Sequence, residues 1–95
     1  MINILANDGI SNSGVEALEK HGFKVMTTNV AQEHLENYIN KEDISVILVR
    51  SATTVRKELI DKCAGLKIIG RGGVGMDNID VDYAISKGIN VINTP

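Results

Sequence analysis

The chain is predicted to be an α/β domain: a doubly wound, parallel, five-stranded sheet with helices on its faces. Two observations predict it. Short apolar runs alternate with amphipathic stretches from one end of the chain to the other, the pattern of strand–helix–strand units that need a parallel sheet. The run Val46-Ile47-Leu48-Val49 is unbroken rather than alternating, as expected of a strand covered on both sides.

Taken in order, Ile2 to Ala6 reads as the first strand. Ser13 opens a helix, with Glu16 three residues on completing a capping box. Val15 and Leu18 supply its buried side, and Gly22 stops it in a left-handed conformation. Lys24 to Thr28 is the second strand. Ala31 to Asn40 is the second helix, with Leu35, Tyr38 and Ile39 at helical spacing. Ser45 to Val49 is the third strand. Thr54 to Ala64 is a helix burying Val55, Leu59, Ile60 and Cys63, with Gly65 as its stop. Lys67 to Gly70 is the fourth strand. Asp80 caps a last helix that carries Val81, Ala84 and Ile85 and closes at Gly88. Ile89 to Ile92 is the fifth strand. Right-handed crossovers then give the flavodoxin-like order 2-1-3-4-5.

Composition narrows the partners. A net charge of −2 among 95 residues leaves no basic footprint for nucleic acid. Phe23, Tyr38 and Tyr83 are the only aromatics, too few for a base-stacking surface. One cysteine, Cys63, rules out an internal disulfide and suits a reducing compartment. The start is too polar for a signal peptide, and no apolar run approaches the ~20 residues of a membrane span. The expectation is a cytoplasmic domain without nucleic-acid or membrane partners.

Ligands of such sheets bind outside the carboxyl ends of the strands. Three loops fall there: Asn7-Asp8-Gly9, Arg50-Ser51-Ala52-Thr53-Thr54 and Arg71-Gly72-Gly73-Val74-Gly75. Arg50 and Arg71 offer planar forks of donors for carboxylate or phosphate. Ser51, Thr53 and Thr54 stand at an expected helix start, and the glycine loop offers backbone amides. The expected ligand is a small anion. For each loop alone, a tight turn with a solvated arginine is the competing reading.

Gly70, Gly72 and Gly75 also satisfy the G-x-G-x-x-G pattern of dinucleotide sites. Here the pattern follows the fourth strand rather than the first. No acidic residue lies about 20 positions on to hold a ribose, and Asp77, Asp80 and Asp82 crowd the next segment. The chain therefore holds no complete dinucleotide site. A phosphoacceptor domain is excluded as well, because the third strand runs into Arg50 rather than an aspartate. His21 is expected to serve the last turn of the first helix, His34 to be solvated between Glu33 and Glu36, and Cys63 to be a buried inert thiol. No metal-spaced cluster and no acid–base pair is visible.

The stretches Arg50-Ser51-Ala52-Thr53, Leu66 to Asp80 (LKIIGRGGVGMDNID) and Gly88 to Pro95 (GINVINTP) resemble the amino-terminal part of the D-isomer-specific 2-hydroxyacid dehydrogenases. The resemblance runs through the whole chain and is most specific from Arg50 onward. It implies a two-lobe NAD enzyme, homo-oligomeric, of which residues 1–95 form the substrate-binding lobe, cut before the NAD-binding lobe. The family's catalytic arginine, glutamate and histidine would lie outside this chain. Arg50, with Ser51, would meet the phosphate end of a small phosphorylated 2-hydroxy or 2-oxo acid. Arg71 would support the glycine loop or the substrate edge. The amides of Gly73, Val74 and Gly75 would hold the carboxylate, and Val74 would touch the nicotinamide of NAD. Ala52 stands where some members carry a second arginine. A helix from the end of the full chain would pack on this lobe, so the fragment alone should expose an apolar strip. A stand-alone anion-binding module is the alternative from a different class.

Overall fold

The computed structural model describes residues 2–72 and 77–94. Five strands, β1 (Asn3–Ala6), β2 (Lys24–Met26), β3 (Ile44–Val49), β4 (Ile68–Gly72) and β5 (Asn90–Thr94), pair in parallel in the order β2-β1-β3-β4-β5. The helices are α1 (Asn12–Lys20), α2 (Leu35–Lys41), α3 (Lys57–Lys62) and α4 (Val81–Ser86), with a 3-10 turn at Gln32–His34 leading into α2. The expected fold class and strand order are both observed.

The sheet has unequal faces. Side chains alternate along a strand, and the register aligns Leu5, Ile47, Ile69 and Val91 in one row. That row meets Leu35, Ile39, Val55, Ile60, Cys63 and Ala84 in the main core. The opposite row, Ala6, Leu48, Gly70 and Ile92, belongs to the other face. Right-handed crossovers put α2, α3 and α4 on the first face and α1 alone on the second. Hence α1 has no fully buried residue, and the expected burial of Val15 and Leu18 is only partial. Ile92 is 51% exposed on the thinly covered face, and Ile85, expected inside, is 57% exposed beside the β5 edge.

The helix boundaries differ from expectation for local reasons. Ser11, not Ser13, is the N-cap of α1: its Oγ accepts from the Gly14 amide at 3.2 Å. Ile10 lies over that first turn, where a Cβ on Gly14 would stand 2.9 Å from Ile10 Cγ1. Gly22 and Gly88 end α1 and α4 at φ +90° and +82°, conformations that suit glycine. The second strand stops at Met26, two residues early. The second helix begins as a 3-10 turn because Ala31 gives no side-chain cap.

The third helix loses its first turn to a strand contact. Val55 forms a parallel bridge with Ile79, its amide donating to Asn78 O at 2.9 Å and its carbonyl accepting from the Asp80 amide at 3.0 Å. The helix therefore starts only at Lys57. Its end comes early too, with Cys63 rather than Gly65 as the C-cap. Asp80 sits at the N-cap position of α4 but makes no cap bond there. Its carboxylate instead accepts from the Lys57 amide at 2.8 Å and from Arg56 Nη1 at 3.1 Å, so it caps α3. None of the helices among the described residues is long and apolar enough to cross a membrane.

Candidate functional site

The carboxyl ends of β1, β3 and β4 carry a single polar network. Asn7, Thr53 and Asn78 are the buried polar side chains among the described residues, at 2%, 3% and 8% exposure, and all three belong to it. Burying such groups is costly unless each is hydrogen-bonded. Here each is. Asn7 Nδ2 donates to Val30 O at 3.0 Å and Thr53 Oγ1 at 2.9 Å, while its Oδ1 accepts from the Val30 amide at 2.7 Å. Asp8 accepts from the Arg50 amide at 2.6 Å, the Thr53 amide at 3.1 Å and the Thr53 hydroxyl at 2.6 Å. Asn78 Nδ2 donates to the carbonyls of Arg50 and Thr53, both at 2.6 Å. Its Oδ1 accepts from Arg71 Nε at 2.7 Å.

These bonds bring the Arg50 and Arg71 loops together, as the sequence suggested, but not the two side chains. Arg71 pairs with Val49 across the ladder and so leaves the sheet on the main-core face, where Asn78 holds its Nε. Arg50 lies the other way. Its Cγ would be 3.7 Å from a Cβ placed on Gly72, which shares the Leu48–Gly70–Ile92 face. Arg50 and Ser51 are exposed and Arg71 is half-buried. Gly73, Val74 and Gly75 lie outside the described residues. A groove of about 240 Å³ opens at this rim, with Ile10, Leu48 and Ile92 as apolar lining and with both Arg50 and Arg71 among its lining residues.

The expected help from a helix start is absent. Thr53 and Thr54 precede α3 by several residues, and the anion at that helix terminus is Asp80 of the same chain. Thr53 uses its hydroxyl on Asp8, and Thr54 is tied to Gln32 through both backbone groups, at 3.0 and 2.9 Å. Asn78 is missed from sequence, and Asp8, though placed in one of the three loops, is given no partner there. Their only signal is position: short polar side chains at a strand end and just before a helix cap.

The dinucleotide pattern finds a packing explanation. Gly70 is inside β4, not in a turn, and a Cβ there would stand 2.7 Å from Leu48 Cδ2. Its lack of a side chain serves the Leu48 contact rather than a pyrophosphate. Packing thus accounts for Gly70, while Gly75, the last glycine of the pattern, lies outside the described residues. Elsewhere, His21 Nδ1 donates to Ala17 O at 2.8 Å, and His34 is exposed. Cys63 is buried, with its thiol pushed up to about 11 by desolvation and, secondarily, by the charge of Glu36. Among the described residues no group of three His, Cys, Asp or Glu is placed to hold a metal.

The chain is similar throughout to curated dehydrogenases. It is 42% identical over 95 residues to D-3-phosphoglycerate dehydrogenase of Methanocaldococcus jannaschii and 42% over 96 to that of Bacillus subtilis. It covers 100% of itself but only 18% of either relative, so it spans under a fifth of their length. It is 39% identical over 90 residues to hydroxypyruvate reductase of Thermotoga maritima, covering 94% of this chain and 29% of that one. Among solved structures, NAD+-bound 3-phosphoglycerate dehydrogenase of Entamoeba histolytica superposes with a TM-score of 0.78 at 28% identity, over 99% of this chain and 33% of that one. The model of the D-isomer specific 2-hydroxyacid dehydrogenase catalytic domain matches residues 4–95. With the fold and the whole described chain in agreement, the protein belongs to the D-isomer specific 2-hydroxyacid dehydrogenase family.

Proposed function

We propose that this chain is the substrate-binding lobe of an NAD-dependent D-3-phosphoglycerate dehydrogenase, oxidising 3-phosphoglycerate to 3-phosphohydroxypyruvate in serine biosynthesis. The observation that carries the reading is Arg50: exposed, lining a groove, with its backbone anchored from two flanking loops. A guanidinium so placed suits a phosphate. Arg71, half-buried on Asn78, supports the rim rather than reaching for the ligand. The carboxylate is assigned to the amides of Gly73, Val74 and Gly75, and the nicotinamide contact to Val74. NAD itself is assigned to a second lobe of a homo-oligomeric parent, in keeping with relatives more than five times as long and with a role for Gly70 in packing against Leu48. The 95 residues alone should then be inactive, because hydride transfer needs the cofactor pocket and an acid–base pair.

In the full-length protein, Arg50→Ala should raise KM for 3-phosphoglycerate by about 10- to 150-fold, the loss of a charge-assisted hydrogen bond worth about 1.5–3 kcal/mol. A second reading has support from the Thermotoga relative and from Ala52, which leaves the phosphate grip with one arginine fewer than in some members. In it, the substrate is an unphosphorylated 2-hydroxy or 2-oxo acid. An unchanged KM for 3-phosphoglycerate in Arg50→Ala, with better turnover of hydroxypyruvate, selects that reading instead.

A further inference from the structure

We propose that Asp8 and Asn78 are positioning residues: they set the backbone of residues 50–53 so that the Arg50 guanidinium stands ready for its anion. The proposal rests on the reading of Arg50 as the phosphate contact. Asp8 arrives from the end of β1, 42 residues before Arg50, and Asn78 from the segment before α4, 28 residues after it. Between them they bind the amide and the carbonyl of Arg50 and the amide, carbonyl and hydroxyl of Thr53. No backbone hydrogen bond joins two residues of the segment 50–54. Its conformation is therefore held by side chains from elsewhere: Asp8 and Asn78 on residues 50 and 53, with Asn7 on the Thr53 hydroxyl and Gln32 on Thr54.

The chemistry of each side chain suits the task. Asp8 offers only acceptors and faces three donors, two of them amides. Asn78 spends both Nδ2 hydrogens on carbonyls and its oxygen on Arg71. Asn78 thus joins the two arginine loops by hydrogen bonds. A loop held this firmly presents its arginine without an ordering cost at binding. It also lies at the same end of the sheet as every buried polar side chain of the described residues, the arrangement expected of a network kept for geometry.

The test is a double-mutant cycle on the full-length protein, with KM for 3-phosphoglycerate, kcat and the melting temperature measured for Asp8→Asn, Arg50→Ala and both together. Asp8→Asn should raise KM about tenfold with kcat within about twofold, and should add nothing once Arg50 is alanine. An unchanged KM in Asp8→Asn, or an effect that adds fully to that of Arg50→Ala, overturns the clamp while leaving Arg50 as the phosphate contact. A silent Arg50→Ala instead removes that contact, and the clamp with it. If Asp8→Asn does not fold, Thr53→Val carries the same cycle. It keeps the volume but deletes the hydroxyl that donates to Asp8 and accepts from Asn7, and Thr53→Ser should restore KM. Equal KM values in Thr53→Val and Thr53→Ser would refute the proposal.

Discussion

At the scale of single residues, the side chains that decide behaviour are those with an unusual partner. The Lys57 amide holds the Asp80 carboxyl below its ordinary 3.8, opposed in part by desolvation and assisted by the nearby Arg56. A depressed folded value means that stability is present above the ordinary carboxylate range and lost as pH falls through the folded value. Asp80→Asn should therefore flatten the acid side of a melting-temperature profile below about pH 5. An unchanged slope would show that the α3 cap is not what titrates. Cys63 behaves in the opposite sense. Burial pushes its thiol up to about 11, so its contribution is intact below the unfolded thiol value and fades as pH rises toward 11. Iodoacetamide at pH 8 should leave the native thiol intact over hours and alkylate it promptly in denaturant. Equal rates in both conditions would contradict its burial. The burial of Cys63 was legible from its place on an apolar helix face. The role of Asp80 was not, because its position before a helix reads as a cap for that helix and nothing local reveals that α3 is nearer.

Elements were legible where pattern alone decides them and illegible where a distant contact intervenes. All five strands were anticipated, since their apolar runs have no competing use. Helix starts were less so. Val55 looks helical by spacing, yet its parallel bridge to Ile79 takes it out of α3. Between Ser11 and Ser13 the pattern alone could not choose; the structure gives the cap to Ser11, whose Oγ accepts from the Gly14 amide. Ser11→Ala should cost about 1 kcal/mol in urea unfolding, the usual worth of an N-cap, and Ser13→Ala much less. The reverse ranking would restore the boundary first read from the capping box. The candidate site follows the same rule. Arg50 and Arg71 stood out as arginines at strand ends, whereas the Asp8 and Asn78 bonds span 42 and 28 residues, beyond any local signal. The pleat that sends the two arginines to opposite faces also emerges only once the strands are in register.

For the whole molecule, the unequal sheet faces carry the consequence. The strand order was legible because right-handed crossovers leave few alternatives, and the same rule leaves α1 alone on one face. Ile92 and Ile85 are exposed there and at the β5 edge. An open apolar surface of this kind favours association. The 95 residues alone should sediment as a mixture that Ile92→Lys shifts toward monomer; a wild-type chain that stays monomeric at high concentration would contradict this. In the proposed parent, the groove at the rim and the thinly covered face meet at Leu48 and Ile92, so substrate and the rest of the protein would share that side of the sheet. A crystal structure of the full-length protein with 3-phosphoglycerate tests the central claim most directly. The account predicts the phosphate within hydrogen-bond distance of the Arg50 guanidinium, with the 50–53 backbone still held by Asp8 and Asn78. A phosphate seated elsewhere, with Arg50 turned to solvent, would contradict it.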